Sequence, residues 1–195
     1  FVNSLKSIII SNFALQIILS LLIPHPWPRA FLVLSVMQVV IESAGIKKKD
    51  AAIVGFSVFA AAVPTAMLFL TGDSTVNMVA VDFSGQQVGW LDWLYYMGVP
   101  ALAASIFTCI LILIIFKPES DIAINKEVIR EKLANLGGLT NIEKKTIFWV
   151  TLAIVLWMID SIHNIDLGWI TILIEIMMSM PVIGDVITQD SWKTV

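Results

Sequence analysis

Between Leu70 and Asn77 the sequence reads Leu-Thr-Gly-Asp-Ser-Thr-Val-Asn and then turns apolar again with Met78-Val79-Ala80-Val81. Thr71, Ser74, Thr75 and Asn77 bring hydroxyl and amide oxygens together. Gly72 lets the backbone leave helical geometry so that main-chain carbonyls can join them. Oxygen ligands suit a hard cation such as sodium, and Asp73 either strengthens such a site or faces solvent. Broken helices that expose carbonyls and helix ends to a midplane cavity hold ions in many secondary transporters, and their N-termini favour anions. The competing reading is an ordinary helix end opening into an outside loop.

Arg29 closes the block Pro24-His25-Pro26-Trp27-Pro28-Arg29. Its guanidinium could pair with a carboxylate of substrate or protein, or snorkel to headgroups as an interface anchor. His25 and Trp27 could line the same place, but His25 alone makes no metal site. Glu175 stands inside an apolar run, either as a proton carrier or ion ligand, or as a protonated or paired structural group. Asp160, His163 and Asp166 repeat every third residue, but Asn164 and Gly168 mark a turn, so a solvated acidic loop accounts for them without a metal. With no glycine-rich phosphate loop, zincin motif or nucleophile elbow, an enzyme has no support and energy would come from an ion gradient.

These residues sit in a chain of 195 residues, 58% hydrophobic and 14% charged, with a mean hydropathy of +0.89. Five long apolar stretches cannot all hide within one small domain, so lipid must cover part of them. The net charge of −3 offers no basic surface for nucleic acid, and the single Cys109 excludes a disulfide framework. Opening on Phe1 without a leader pattern, the sequence reads as a piece of a longer protein. A bilayer core of about 30 Å needs about 20 apolar helical residues. By that measure Ala51 to Leu70, Leu94 to Phe116, Thr146 to Ile162 and Leu167 to Ile183 are expected to cross. Ile8 to Ile23 and Phe31 to Ile41 are shorter or interrupted arms, neither of which spans alone. The alternating prolines force a turn between them, giving a re-entrant hairpin at membrane depth.

Lysine and arginine gather on the cytoplasmic side of short loops. Lys47 to Lys49 and the cations from Lys117 to Lys145 therefore mark the inside, whereas residues 71–93 and 160–167 carry Asp and no Lys or Arg and belong outside. Ile122 to Leu136 spaces its apolar residues as an amphipathic surface helix, stopped by Gly137-Gly138. Thr140-Asn141-Ile142-Glu143 reads as a capping box opening the next helix. Trp90, Trp93, Trp149 and Trp169 suit an aromatic belt, with Trp157 packing near the opposite interface.

In order along most of the chain, these stretches resemble the divalent anion:sodium symporters, especially the dicarboxylate and citrate carriers that include the 2-oxoglutarate/malate translocators. Pro24 through Arg29 falls at the family's Pro-Ser-Asn-Thr-Ala-Arg hairpin tip, and Phe69-Leu70-Thr71-Gly72 through Asn77 is similar to its unwound Phe-Leu-Thr-Gly loop. Trp90-Leu91-Asp92-Trp93 to Lys117-Pro118-Glu119, then Leu133 to Lys145, is similar to its Trp-rich outer end, its inner exit and its entry to the next helix. His25-Pro26-Trp27 replaces the Ser-Asn-Thr triplet, and the Thr-Gly-to-Asn interval is one residue longer, with Asp73 in it.

The resemblance implies an all-α polytopic fragment of an inverted-repeat, elevator-type carrier. Residues 1–45 would form the hairpin of the transport domain, 46–116 a broken helix and the helix after it, 117–145 a cytoplasmic amphipathic segment, and 146–195 the first scaffold helices of the second repeat. It implies transport of small dicarboxylates or related divalent anions, coupled to sodium or by exchange, with no cofactor beyond the coupling ion. Arg29 and His25 would lie near the anion, and Thr71, Gly72, Asp73 and Asn77 near sodium. The full-length protein would be a homodimer in the plasma (inner) membrane. The alternative is a homologue that keeps the scaffold, has lost transport and serves a structural or interaction role.

Overall fold

The computed structural model describes residues 4–117, 137–181 and 183–187. The expected amphipathic helix from Ile122 to Leu136 lies outside these residues. Eight α-helices make up the described chain: α1 Leu5–Leu22, α2 Pro26–Ser43, α3 Lys48–Ala66, α4 Ser74–Ser84, α5 Trp90–Phe116, α6 Asn141–Met158, the single turn α7 Asp160–His163, and α8 Leu167–Ser179. A short 3-10 turn, Leu70–Asp73, separates α3 from α4. The helices fall into two units, one holding α1 to α4 with α5 from Asp92 onward, the other holding Gly89–Leu91 with α6 to α8.

The two arms form successive helices, longer than expected and joined by a short turn. A capping box between Ser4 and Ser7 starts α1 upstream of Ile8. At 18 residues, α1 is long and apolar enough to cross a membrane by length and composition. Of the polar residues that interrupt its sequence, Ser11, Asn12, Gln16 and Ser20, the last three lie on the buried face, and none of the four shortens the helix. The prolines open α2 and do not break it. Pro26 occupies the first turn, where the missing N–H would have no helical acceptor anyway, and His25 caps that turn by accepting from the Trp27 N–H at 3.3 Å.

Helix α3 buries a stripe at three- and four-residue intervals, including Ile53, Val54, Ser57, Val58, Ala61, Ala62, Thr65 and Ala66. Small side chains let α1 and α2 approach closely, which matters where lipid leaves no hydrophobic drive between helices. Leu5 and Ile8 of α1, Ala30, Val33 and Met37 of α2, and Val54, Val58 and Ala62 of α3 form one core. Ile9, Phe13, Ile53, Ala61 and Ile112 form a second, joining α5.

Two expected spans change. Thr146 to Ile162 becomes α6, which starts earlier at Asn141 behind the predicted Thr140–Glu143 capping box and stops at Met158. Leu167 to Ile183 shortens to the 13 residues of α8. Met180 is extended because the following Pro181 disfavours helix at the residue before it. Residues 71–93, read as an outside loop, contain the 3-10 turn, α4 and the start of α5. Among the described residues, α1, α3 and α5 are the helices long and apolar enough to cross a membrane, α5 with 27 residues.

Candidate functional site at the helix break

Helix α3 carries Pro64 in its last turn, which removes one helical donor, and ends at Ala66. The expected break is therefore real but starts four residues earlier than Leu70. Phe69 is extended, and the 3-10 turn then brings Leu70, Thr71, Gly72 and Asp73 into the interior, all buried. Gly72 is required by close approach: a Cβ there would sit 2.5 Å from the Ala66 carbonyl oxygen.

Asn77, one turn into α4, is fully buried. Its Nδ2 donates to the carbonyls of Ala66 at 3.0 Å, Phe69 at 3.0 Å and Leu70 at 3.4 Å, sewing the unwound backbone to α4. Its Oδ1 is buried with no donor. Asp73 caps α4 by accepting from the Val76 N–H at 3.3 Å. Ser74 donates from both its amide (3.2 Å) and its hydroxyl (3.1 Å) to the carbonyl of Pro24 in the hairpin turn.

Arg29 is fully buried, so it does not snorkel to headgroups. Nε donates to Gln16 Oε1 at 2.8 Å, Nη2 to the Ala62 carbonyl at 3.0 Å, and Nη1 to the carbonyls of Ile23 at 3.3 Å and Gly72 at 3.4 Å. The Asp73 carboxylate acts on it through charge. Four bonds from five N–H donors go to α1, the hairpin turn, α3 and the break. An isolated guanidinium buried in this way would be very costly, and the inward-facing carbonyls offset that cost. Thr71, Gly72, Asp73, Asn77 and Arg29 thus gather around one break, and His25 stands in the hairpin turn, one residue past the Pro24 carbonyl that Ser74 grips.

Gln16 was not singled out from sequence. Its signal is the four-residue spacing of Asn12, Gln16 and Ser20, which puts three polar groups on one face of an apolar helix. Asn12 donates to Ser57 Oγ at 2.8 Å, leaving its own Oδ1 buried without a donor.

Several other expectations change. Trp90 and Trp93 are 2% and 6% exposed, so they do not form a belt; the Trp93 indole donates to the Met67 carbonyl at 3.0 Å, just past the end of α3. Trp149 is buried against α8, while Trp169 is exposed as a belt residue would be. Glu175 lies on the exposed face of α8, in a hollow with Ile172, Ile176 and Ser179. Asp160 accepts from the Trp90 N–H at 2.8 Å, and His163 bonds the Leu156 carbonyl at 2.8 Å and the Ile165 N–H at 3.0 Å. Those two side chains bond to the backbone, and no group of three or more His, Cys, Asp or Glu placed to hold a metal occurs among the described residues.

A helical hairpin bonded to an interrupted helix, with further long apolar helices, defines a multi-pass integral membrane protein of the broken-helix type. The chain belongs to the sodium:sulfate symporter family, whose transmembrane-region model matches residues 3–195. That family is one of symporters, not enzymes. The chain is also similar to a protein of Cupriavidus necator described as "Membrane protein", at 28% identity over 202 residues, covering 98% of this chain and 38% of that relative. The chain therefore spans well under half the length of the curated relative it matches.

Proposed function

We propose that the full-length protein carries small divalent anions, dicarboxylates or sulfate among them, across the plasma membrane by alternating access coupled to a sodium gradient or by exchange. The observation that carries this reading is the Asn77 carboxamide oxygen, buried without a donor beside the unwound carbonyls of residues 66–70. Asn77 thus keeps one unpaired acceptor beside unwound main chain, and a buried oxygen of that kind suits a cation. In this reading Thr71, Gly72, Asp73 and Asn77 serve sodium. Arg29 supplies positive charge near the anion while its N–H groups fix the walls of the site, and His25 at the hairpin tip faces the same anion. The family's homodimer is the expected assembly.

The test is uptake of labelled succinate, malate, citrate and sulfate by the full-length protein in vesicles, with and without a sodium gradient. Sodium-stimulated uptake of at least one is expected, and uptake of none under any gradient rejects the proposal. Asn77→Ala should weaken apparent sodium affinity more than it lowers expression; unchanged sodium dependence would remove Asn77 from the site. The replacement of Ser-Asn-Thr by His25-Pro26-Trp27 favours one rival, a homologue that has lost transport, and the same absence of uptake would support it.

A further inference from the structure

Between the start of α3 and the end of α5, Lys49, Ala52, Ile53 and Phe56 face Ile115 and Phe116 across a groove of about 510 Å³. The Phe56 and Phe116 rings meet at 5.4 Å and make an aromatic wall. Lys49 lines the groove itself, the exposed Lys47 and Lys48 precede it at the start of α3, and the exposed Lys117 follows Phe116 directly. Asp50, buried in the first turn of α3, is the acid set among them. No side chain caps the start of α3, where the first N–H groups of a helix lack helical acceptors. Much of α5 beyond this groove is exposed and apolar, including Phe107, Ile110 and Ile114.

We infer that this groove holds an anionic phospholipid, its headgroup phosphate against Lys47, Lys48 and Lys49 at the start of α3 and an acyl chain along Ile53, Phe56, Ile115 and Phe116. Charge complementarity selects the head, since four cations against one acid attract a phosphodiester and give a zwitterionic head much less. The apolar walls select the tail, because a soluble phosphate or carboxylate would leave the ring-lined part of the groove unused. The groove also continues into the apolar face of α5, so a chain bound there stays in contact with surrounding lipid. Nothing in this assignment depends on transport.

Native mass spectrometry of the full-length protein in detergent, titrated with dioleoyl phosphatidylglycerol or dioleoyl phosphatidylcholine, tests it. Phosphatidylglycerol should be retained roughly tenfold more tightly, and the combined Lys47→Gln, Lys48→Gln, Lys49→Gln variant should lose that preference. Ala52→Phe, at an exposed position on the groove wall, should weaken phosphatidylglycerol retention with all the lysines intact. Equal retention of the two lipids, or a preference unchanged in the triple glutamine variant, overturns the proposal. Displacement of the lipid by millimolar sulfate or succinate also overturns it, because the lysines would then form an aqueous anion site.

Discussion

At the scale of single residues, Gly72, Asn77 and Arg29 were legible as types suited to a break, but their partners were not. The sequence shows that Arg29 follows a proline-rich turn. It does not show that residues 13 positions before and 43 after supply acceptors, because those contacts exist only once α1, α3 and the break are packed. Arg29→Gln should strand Gln16 Oε1 and the Ala62 carbonyl and cost on the order of 3 kcal/mol. Arg29→Lys keeps the charge but cannot reach the same acceptors with a flat fork, and should recover only part of the loss. Thermal melting of the full-length protein in detergent checks both, and a wild-type melting temperature for the glutamine variant would contradict the network. Gly72→Ala forces a methyl against the Ala66 carbonyl and should destabilise by about 1–3 kcal/mol, read by the same melt.

At the scale of elements, local signals were read well and packing signals poorly. The Thr140–Glu143 capping box is visible in sequence because both halves lie within three residues, and the structure forms it. The Thr140 N–H and then its hydroxyl, both donating to Glu143, hold that carboxyl below its usual range. A carboxyl depressed in the folded state adds stability above its unfolded pKa, and that contribution fades as pH falls through the folded value. The protection of the first-turn amides of α6, corrected for the intrinsic pH dependence of exchange, should therefore fall as pH drops through the acid range. Glu143→Gln should flatten that pH dependence. The first arm of the hairpin is longer than its apolar run because Ser11, Asn12, Gln16 and Ser20 do not end the helix; Asn12 and Gln16 bond to α3 and Ser20 to the Ile17 carbonyl of its own helix. The break starts earlier than Thr71 and Gly72 suggest, because Pro64 sits nearer to where the helix stops.

At the scale of the whole molecule, composition alone established a helical membrane protein, while the number of spans depended on terminators that composition does not register, such as Pro181 after α8. The lysine distribution argues that the start of α3 and the end of α5 share the cytoplasmic side. In a Cys109→Ser background, single cysteines at Lys48 and Lys117 should react with an impermeant thiol reagent only when it reaches the inner face, and one at Gly85 only from the outer face. Labelling of all three from one side would reverse this topology. The doubled grip of Ser74 on Pro24 has a consequence for motion. A hairpin that swung while the broken helix stayed behind would abandon these bonds and those that Arg29 makes to Ala62 and Gly72. The two are cheaper to carry as one passenger, and any pivot is better placed at their margins than in the seam that joins them.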